Sequence, residues 1–343
     1  MQIQRQYLKE ASDKGIISES QASVLWAFLN EKGAHTPSFR FTHILYYLGG
    51  MIAIGAMSLF MTLAWESFGG WGIFFIALLY AGLGLRLTEH FLYQLKLQIP
   101  TGLTATFVIV LTPLAVYGLQ SGLGWWTDPG AYRDYHVYID WRWIFMEFAT
   151  LIVAAVMLWR YQLPFQVMPV AVTLWYMSMD FAPFLFGEDA DWDIRKLLSV
   201  WFGVMMIFIA IWVDIRARKD KDYAFWLYLF GTMAFWGGLS SMNSDSELNK
   251  FIYMCINLGM IALSAILSRR VFAVFGAIGV ASYLGYLAYH VFQDSLLFPF
   301  ALTLIGLGVV YMGILWQRHE AAISNWLLDK LPAPLQEFLE NRN

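Results

Sequence analysis

Two acids lie well inside membrane-length apolar runs, Glu147 and Asp180, and no other side chains in this sequence are as clearly placed to do chemistry. An ionised acid in lipid costs several kcal/mol, so such a group usually turns toward the protein interior or a wet cavity. Glu147 falls about four residues into its run and Asp180 about seven from the end of the next, a shared depth of roughly 6–10 Å below one interface. If the two face each other, repulsion and desolvation push one pKa toward neutrality, as a proton carrier needs. If they do not, each snorkels outward, with Arg142 or Arg195 as a partner. Asp180 has a second feature beside it: Pro183 has no N–H to donate, which frees the carbonyl of Met179. A carboxylate beside a free carbonyl can hold a small cation or relay a proton.

Other sets are less specific. His290 and Asp294, near the end of a later run, either join that region or cap a helix. Asp189, Asp191 and Asp193 have the alternate spacing that opens a calcium loop, but Ile194 stands where the turn glycine belongs and Val200 where the closing glutamate belongs. A solvated acidic loop therefore competes with an outer-loop metal set. Asp134, His136 and Asp140 have ligand chemistry without fixed geometry, and Asn257, inside an apolar run, suits an interhelical hydrogen bond. No Walker loop, Rossmann fingerprint, HExxH pair or GxSxG elbow occurs, so no reaction and no cofactor is assigned.

These residues must be positioned by membrane helices. The chain of 343 residues is 59% hydrophobic and 14% charged, against about 25% charged in a soluble domain. Its apolar runs match the roughly 20 residues that cross a bilayer. About ten spans are expected, near 42–65, 70–87, 101–120, 143–160, 163–186, 197–215, 223–242, 251–267, 271–292 and 296–316. The fold class is therefore all-α: a ten-span domain over 41–317, preceded by a helical hairpin over 1–40 and followed by an interfacial amphipathic tail over 318–343. The run starting near Thr42 is too long for a cleaved signal, and is expected to stay as an anchor. A net charge of -3 and the lack of a basic, aromatic-interleaved block argue against nucleic acid. Cys255 is the sole cysteine, so no intrachain disulfide forms.

Alternating the spans from a cytoplasmic N-terminus leaves only Arg133, Arg142, Arg195, Lys196 and Lys250, of 22 lysines and arginines, on outer segments. That asymmetry places both termini inside. Trp125, Trp126, Trp141, Trp143, Trp175 and Trp192 cluster at the acidic outer level, as an aromatic belt or, alternatively, a ligand cage. Ser18 and Gln21 have capping-box spacing after a break at Gly15, and Ala22, Leu25, Trp26 and Leu29 follow at helical intervals. The hairpin is either a packing element or the docking site of a cytosolic protein partner. Tyr46, Gly49, Met51, Gly55 and Ser58 echo Tyr228, Gly231, Met233, Gly237 and Ser240 at constant offset, the mark of a parallel repeat.

The hairpin segment Gly15-Ile16-Ile17-Ser18-Glu19-Ser20-Gln21-Ala22, joined to a region opening Tyr46-Tyr47-Leu48-Gly49-Gly50, resembles the bacterial membrane-protein family called domain of unknown function 2157. The resemblance covers roughly the first hundred residues and implies a bacterial inner-membrane protein with no assigned activity. Two functions are carried forward. One is a transporter of a small solute or ion through an outward-facing cavity near Glu147 and Asp180, and the other a non-transporting scaffold or sensor with cytosolic recruiting ends.

Overall fold

The structure, a computed structural model, describes residues 8, 11–33, 41–126, 141–180, 192–216, 221–242, 244 and 246–291, with 299, 300, 303, 304, 306, 307 and 311 beyond them. The linker at Thr36-Pro37-Ser38, the loops with Asp134, His136 and Asp140 and with Asp189 and Asp191, Asp294, most of the last expected span and the tail over 318–343 lie outside the described residues.

Among the described residues every regular element is helical. After a first helical turn, Gly15 takes a left-handed φ of 72°. Its N–H then reaches the Ser12 carbonyl, and the Ile16 N–H the Ala11 carbonyl, both at 2.9 Å, which is a Schellman stop. Helix α1 (Glu19–Gly33) starts with the expected box: the Ser18 N–H donates to Gln21 Oε1 at 2.9 Å and the Gln21 N–H to Ser18 Oγ at 3.2 Å. Helix α2 (Phe41–Glu89) is bent where Gly69 adopts φ 60° and ψ 178°, a conformation open to glycine and closed to side chains. The bend falls where one expected span gives way to the next.

Helices α3 (Gln98–Val110), α4 (Thr112–Gly122), α5 (Trp141–Tyr161), α6 (Val167–Asp180), α7 (Trp192–Arg216), α8 (Ala224–Ser240), α9 (Glu247–Leu267) and α10 (Arg270–Tyr286) follow. Pro164–Gln166 forms a short 3-10 turn between α5 and α6. Among the described residues six stretches are long and apolar enough to cross a membrane: Phe68–Gln94, Gln98–Gly122, Trp141–Tyr161, Trp192–Arg216, Glu247–Leu267 and Arg270–His290. Of the other expected spans, α8 has 17 residues and α6 has 14, ending at the last described residue of its stretch.

The chain divides into two compact units, Met1–Pro169 with Arg218–Asp222, and Val170–Ala217 with Tyr223–Asn343. In the first, α2 packs on α3 and α4, and α4 on α5. A Cβ on Gly70 would lie 2.2 Å from the Gly122 nitrogen, so the backbones of α2 and α4 touch there. Ile73, Leu111, Tyr117 and Met146 form a buried cluster beside that contact. In the second unit α7 and α8 cross through Gly203, whose Cβ would stand 2.3 Å from the Phe235 nitrogen. There α9 and α10 form a hairpin closed at Ser268, which is left-handed.

Both units reverse the patterning of a soluble protein. On α7 the buried side is Ser199, Gly203, Met206 and Ala210, and the exposed side is Trp201, Met205, Phe208 and Trp212. Small residues let helices approach while bulky apolar ones face outward, the arrangement that lipid rewards and water does not.

Candidate functional site

Glu147 sits on the buried side of α5, with Met146, Thr150, Ala154 and Met157. The exposed side of the same helix holds Phe145, Phe148, Ile152, Val156 and Trp159. Glu147 is 9% exposed. Its helical position therefore turns it into the first unit and away from the outward face. One turn on, Thr150 donates its hydroxyl to the Met146 carbonyl at 2.6 Å, which satisfies the hydroxyl hydrogen and leaves the oxygen as an acceptor.

Above Glu147 on α5, an aromatic cluster is fixed by one amide. Buried Gln120, on α4, accepts the Trp126 indole N–H at 3.1 Å and donates to the Arg142 carbonyl at 3.2 Å. The Arg142 guanidinium lies 5.1 Å from the Trp126 ring centre, and Trp126 meets Tyr117 at 5.1 Å and Trp143 edge-on at 5.7 Å. The expected belt thus divides. Trp125, Trp141 and Trp192 are exposed like anchors at a headgroup surface, whereas Trp126 and Trp143 pack against the core.

Asp180, 8% exposed, closes α6 in the second unit, and Met179 beside it is half-buried. Pro183 lies outside the described residues. A turn earlier, the Trp175 indole donates to Ser199 Oγ at 3.2 Å and Ser199 donates to the Ala234 carbonyl at 3.0 Å, which ties α6 to α7 and α8. Glu147 and Asp180 belong to separate units, and both are buried.

His290 is exposed, with ring contacts to Tyr286 and Tyr289 at 5.1 Å each. Asp193 pairs at 2.9 Å with Lys196 one turn along α7, its side chain 79% exposed. No group of three or more His, Cys, Asp or Glu side chains suited to a metal occurs among the described residues. Asn257 is fully buried, as its placement in an apolar run implies, and donates to the Tyr253 carbonyl at 2.8 Å. Its Oδ1 points at Gly279 of α10, where a Cβ would be 1.9 Å away.

Sequence reasoning missed three polar features. Arg269, at the α9–α10 turn, holds Asp214 of α7 in a two-pronged pair, Nη2 to Oδ1 at 2.6 Å and Nε to Oδ2 at 3.1 Å. The Tyr228 ring lies 4.9 Å from the Arg269 guanidinium carbon. Lys250, Glu247 and Tyr286 join α9 to α10, with Lys250 Nζ donating to Glu247 at 2.9 Å and to Tyr286 at 2.6 Å, and the Tyr286 hydroxyl to Glu247 at 2.7 Å. Gln166 and Thr106, both fully or nearly fully buried in the first unit, carry polar atoms with no hydrogen-bond partner among the described residues. The available signal for Gln166 was an amide between two prolines, Pro164 and Pro169, in an otherwise apolar run.

Among the described residues, the all-helical architecture, six membrane-length helices and bulky apolar outward faces define the class of a multi-pass, membrane-embedded helical protein. No protein-family model matches the chain, and neither does any curated protein or solved structure.

Proposed function

We propose that this chain is an inner-membrane protein of about ten spans, with both termini cytoplasmic, that moves a small solute or ion using Glu147 and Asp180 as its intramembrane acids. Membership of the family called domain of unknown function 2157 is part of the proposal and rests on the hairpin and the Tyr46–Gly50 segment. The orientation is supported by the scarcity of Lys and Arg on the outer segments. One observation carries the transport reading: Glu147 occupies the buried side of α5 although the exposed side of that helix was open to it. A carboxylate kept inside an apolar bundle is costly, and in membrane helices such groups line pathways or pair within them.

The test is ion and solute flux into proteoliposomes of the purified chain, with protons, sodium, potassium and a panel of labelled small solutes as probes. Glu147→Gln and Asp180→Asn each abolish the flux if the reading is right. Wild-type flux in both variants removes it.

A second reading, a scaffold or sensor that recruits a cytosolic partner, is favoured by the apolar surface that α1 leaves exposed at Val24, Leu25 and Phe28. Deleting residues 1–38 then releases co-purifying protein while the membrane region stays intact. Unchanged co-purification rejects it.

A further inference from the structure

We propose that the second unit encloses a binding site for a small uncharged molecule that both donates and accepts hydrogen bonds, water being the smallest, between Thr232 and Trp236 of α8 and Asn257 of α9. Neither Glu147 nor Asp180 takes part, so the proposal goes beyond the transport reading and stands or falls without it.

Two sets of contacts give the same register. The Ser240 and Tyr253 hydroxyls meet at 2.8 Å, and α8 and α9 run in opposite directions, so Trp236, one turn back along α8, stands level with Asn257, one turn on along α9. Helix α10 agrees. Tyr228 and Trp236 lie against its Phe272 and Phe275, with ring centres 5.7 and 5.5 Å apart, which sets Thr232, midway between them, level with residues 273–274. Asn257 packs on α10 at Gly276 and Gly279, where a Cβ would meet its carbonyl oxygen and its side chain. That level, residues 277–278, lies four residues or about 6 Å beyond Thr232, which is where Trp236 stands. Tyr228, Thr232, Trp236 and Ser240 recur at every fourth residue and share one face of α8. A different face, with Gly231 and Ala234, packs on α7.

Thr232 and Asn257 are fully buried, and Thr232 Oγ1, Trp236 Nε1 and Asn257 Oδ1 have no hydrogen-bond partner among the described residues. The Asn257 amide is fixed in its orientation, because Nδ2 donates to the Tyr253 carbonyl at 2.8 Å and a carbonyl accepts only from the nitrogen. The site therefore offers one fixed acceptor, Oδ1, one fixed donor, the indole N–H, and a hydroxyl that does either. One turn of α8, roughly 6 Å, separates the hydroxyl from the indole, and two hydrogen bonds of about 2.8–3.0 Å cover that distance end to end. A water between them keeps a hydrogen for Asn257 Oδ1, the acceptor at the level of the indole. No Asp, Glu, His, Lys or Arg occurs in residues 229–239, 254–263 or 271–285. A metal cation would want more oxygen ligands, and an anion would meet the Asn257 carbonyl, so the ligand is neutral. One turn beyond Trp236 the Ser240–Tyr253 pair brackets the site, and one turn before Thr232 the Tyr228 ring does so beside the Arg269 guanidinium.

The experiment exposes the full chain in lipid nanodiscs to a millisecond synchrotron X-ray dose, which turns water into hydroxyl radicals that oxidise the side chains touching it. Mass spectrometry of the peptides reads the product, with water itself as the probe. Met206, fully buried on α7 against Gly231 and carrying a readily oxidised thioether, reports a dry interior. In wild type Trp236 is oxidised well above Met206. Thr232→Val and Asn257→Leu, which keep the side-chain volume and remove one polar partner, each lower that yield by about tenfold, the change in occupancy that roughly 1.4 kcal/mol represents. Thr232→Ser, which keeps the hydroxyl, retains it. Size-exclusion profiles confirm that each variant folds. A wild-type Trp236 as unreactive as Met206 overturns the proposal without any variant. Wild-type oxidation in folded Thr232→Val and Asn257→Leu overturns it too, because the indole is then reached by water held elsewhere. Flux through Glu147→Gln and Asp180→Asn bears on the transport reading alone.

Discussion

Replacing Asp214 by asparagine leaves a buried guanidinium without its counter-ion. The side chains of Arg269 and Asp214 are 8% and 11% exposed, and their hydrogen bonds of 2.6 and 3.1 Å form a parallel fork. Breaking one partner of such a pair costs about 3–5 kcal/mol, because the remaining charge keeps its desolvation penalty. Tyr228 beneath the guanidinium returns only about 0.5–2 kcal/mol of that, since an aromatic face is a weak substitute for a carboxylate. At roughly 2–4 °C per kcal/mol for a unit of this size, Asp214→Asn lowers the unfolding midpoint in detergent by about 10 °C. The fraction of monodisperse protein after heating, followed by size exclusion, reads it. The double variant Asp214→Asn with Arg269→Met removes both charges and recovers most of the loss, since an apolar replacement of a buried pair is often neutral. A double variant as unstable as the single one refutes the reasoning, as does a midpoint within about 2 °C of wild type for Asp214→Asn. The exposed pair Lys196–Asp193 serves as control, and Asp193→Asn leaves the midpoint unchanged.

Gly279→Ala places a methyl 1.9 Å from Asn257 Oδ1, so it destabilises the α9–α10 hairpin by about 1–3 kcal/mol. Adding Asn257→Ala relieves the clash, and thermal midpoints of the two singles and the double show the non-additivity. At the start of α1, Gln21→Ala removes the acceptor of the Ser18 N–H. It frays the start of α1 by about 0.5–1 kcal/mol, read as faster hydrogen exchange at residues 19–22 with no change in the membrane helices.

What the sequence made legible and what it hid separate along physical lines. The break at Gly15 was readable, because glycine takes left-handed φ at no cost and the Ser18–Gln21 box satisfies donors within one turn, and so was the change of span between 65 and 70, though not that Gly69 makes the bend there. Membrane-length helices were readable from apolar runs and scarce charge, and six of them have that length among the described residues. Which side of each helix is buried was not readable. In lipid both faces are apolar, so α8, with aromatic and aliphatic residues all round, carries no amphipathic stripe to point inward. Thr106 and Gln166 consequently passed as ordinary members of apolar runs, while acids, being costly wherever they fall, drew notice at once. The Asp214–Arg269 pair was hidden for another reason: its members are 55 residues apart and each reads alone as an ordinary charge at a helix end.

The buried polar groups divide into two kinds. Thr88, Ser199 and the Asp214–Arg269 pair are matched at short range, Thr88 to the Gly84 carbonyl at 2.8 Å and to Thr104 at 2.9 Å, so they fasten helices that dispersion alone would hold loosely. Thr106 Oγ1 and Gln166 Nε2 fasten nothing among the described residues. Were they packing elements, valine and methionine would serve as well in volume and better in desolvation, and both substitutions would stabilise the fold. A polar atom kept where an apolar one would be more stable implies something polar that visits it. The thermal midpoints of Thr106→Val and Gln166→Met therefore decide between the two kinds: stability equal to or above wild type shows that these polar atoms do not hold the fold together, and marked instability makes them fasteners after all.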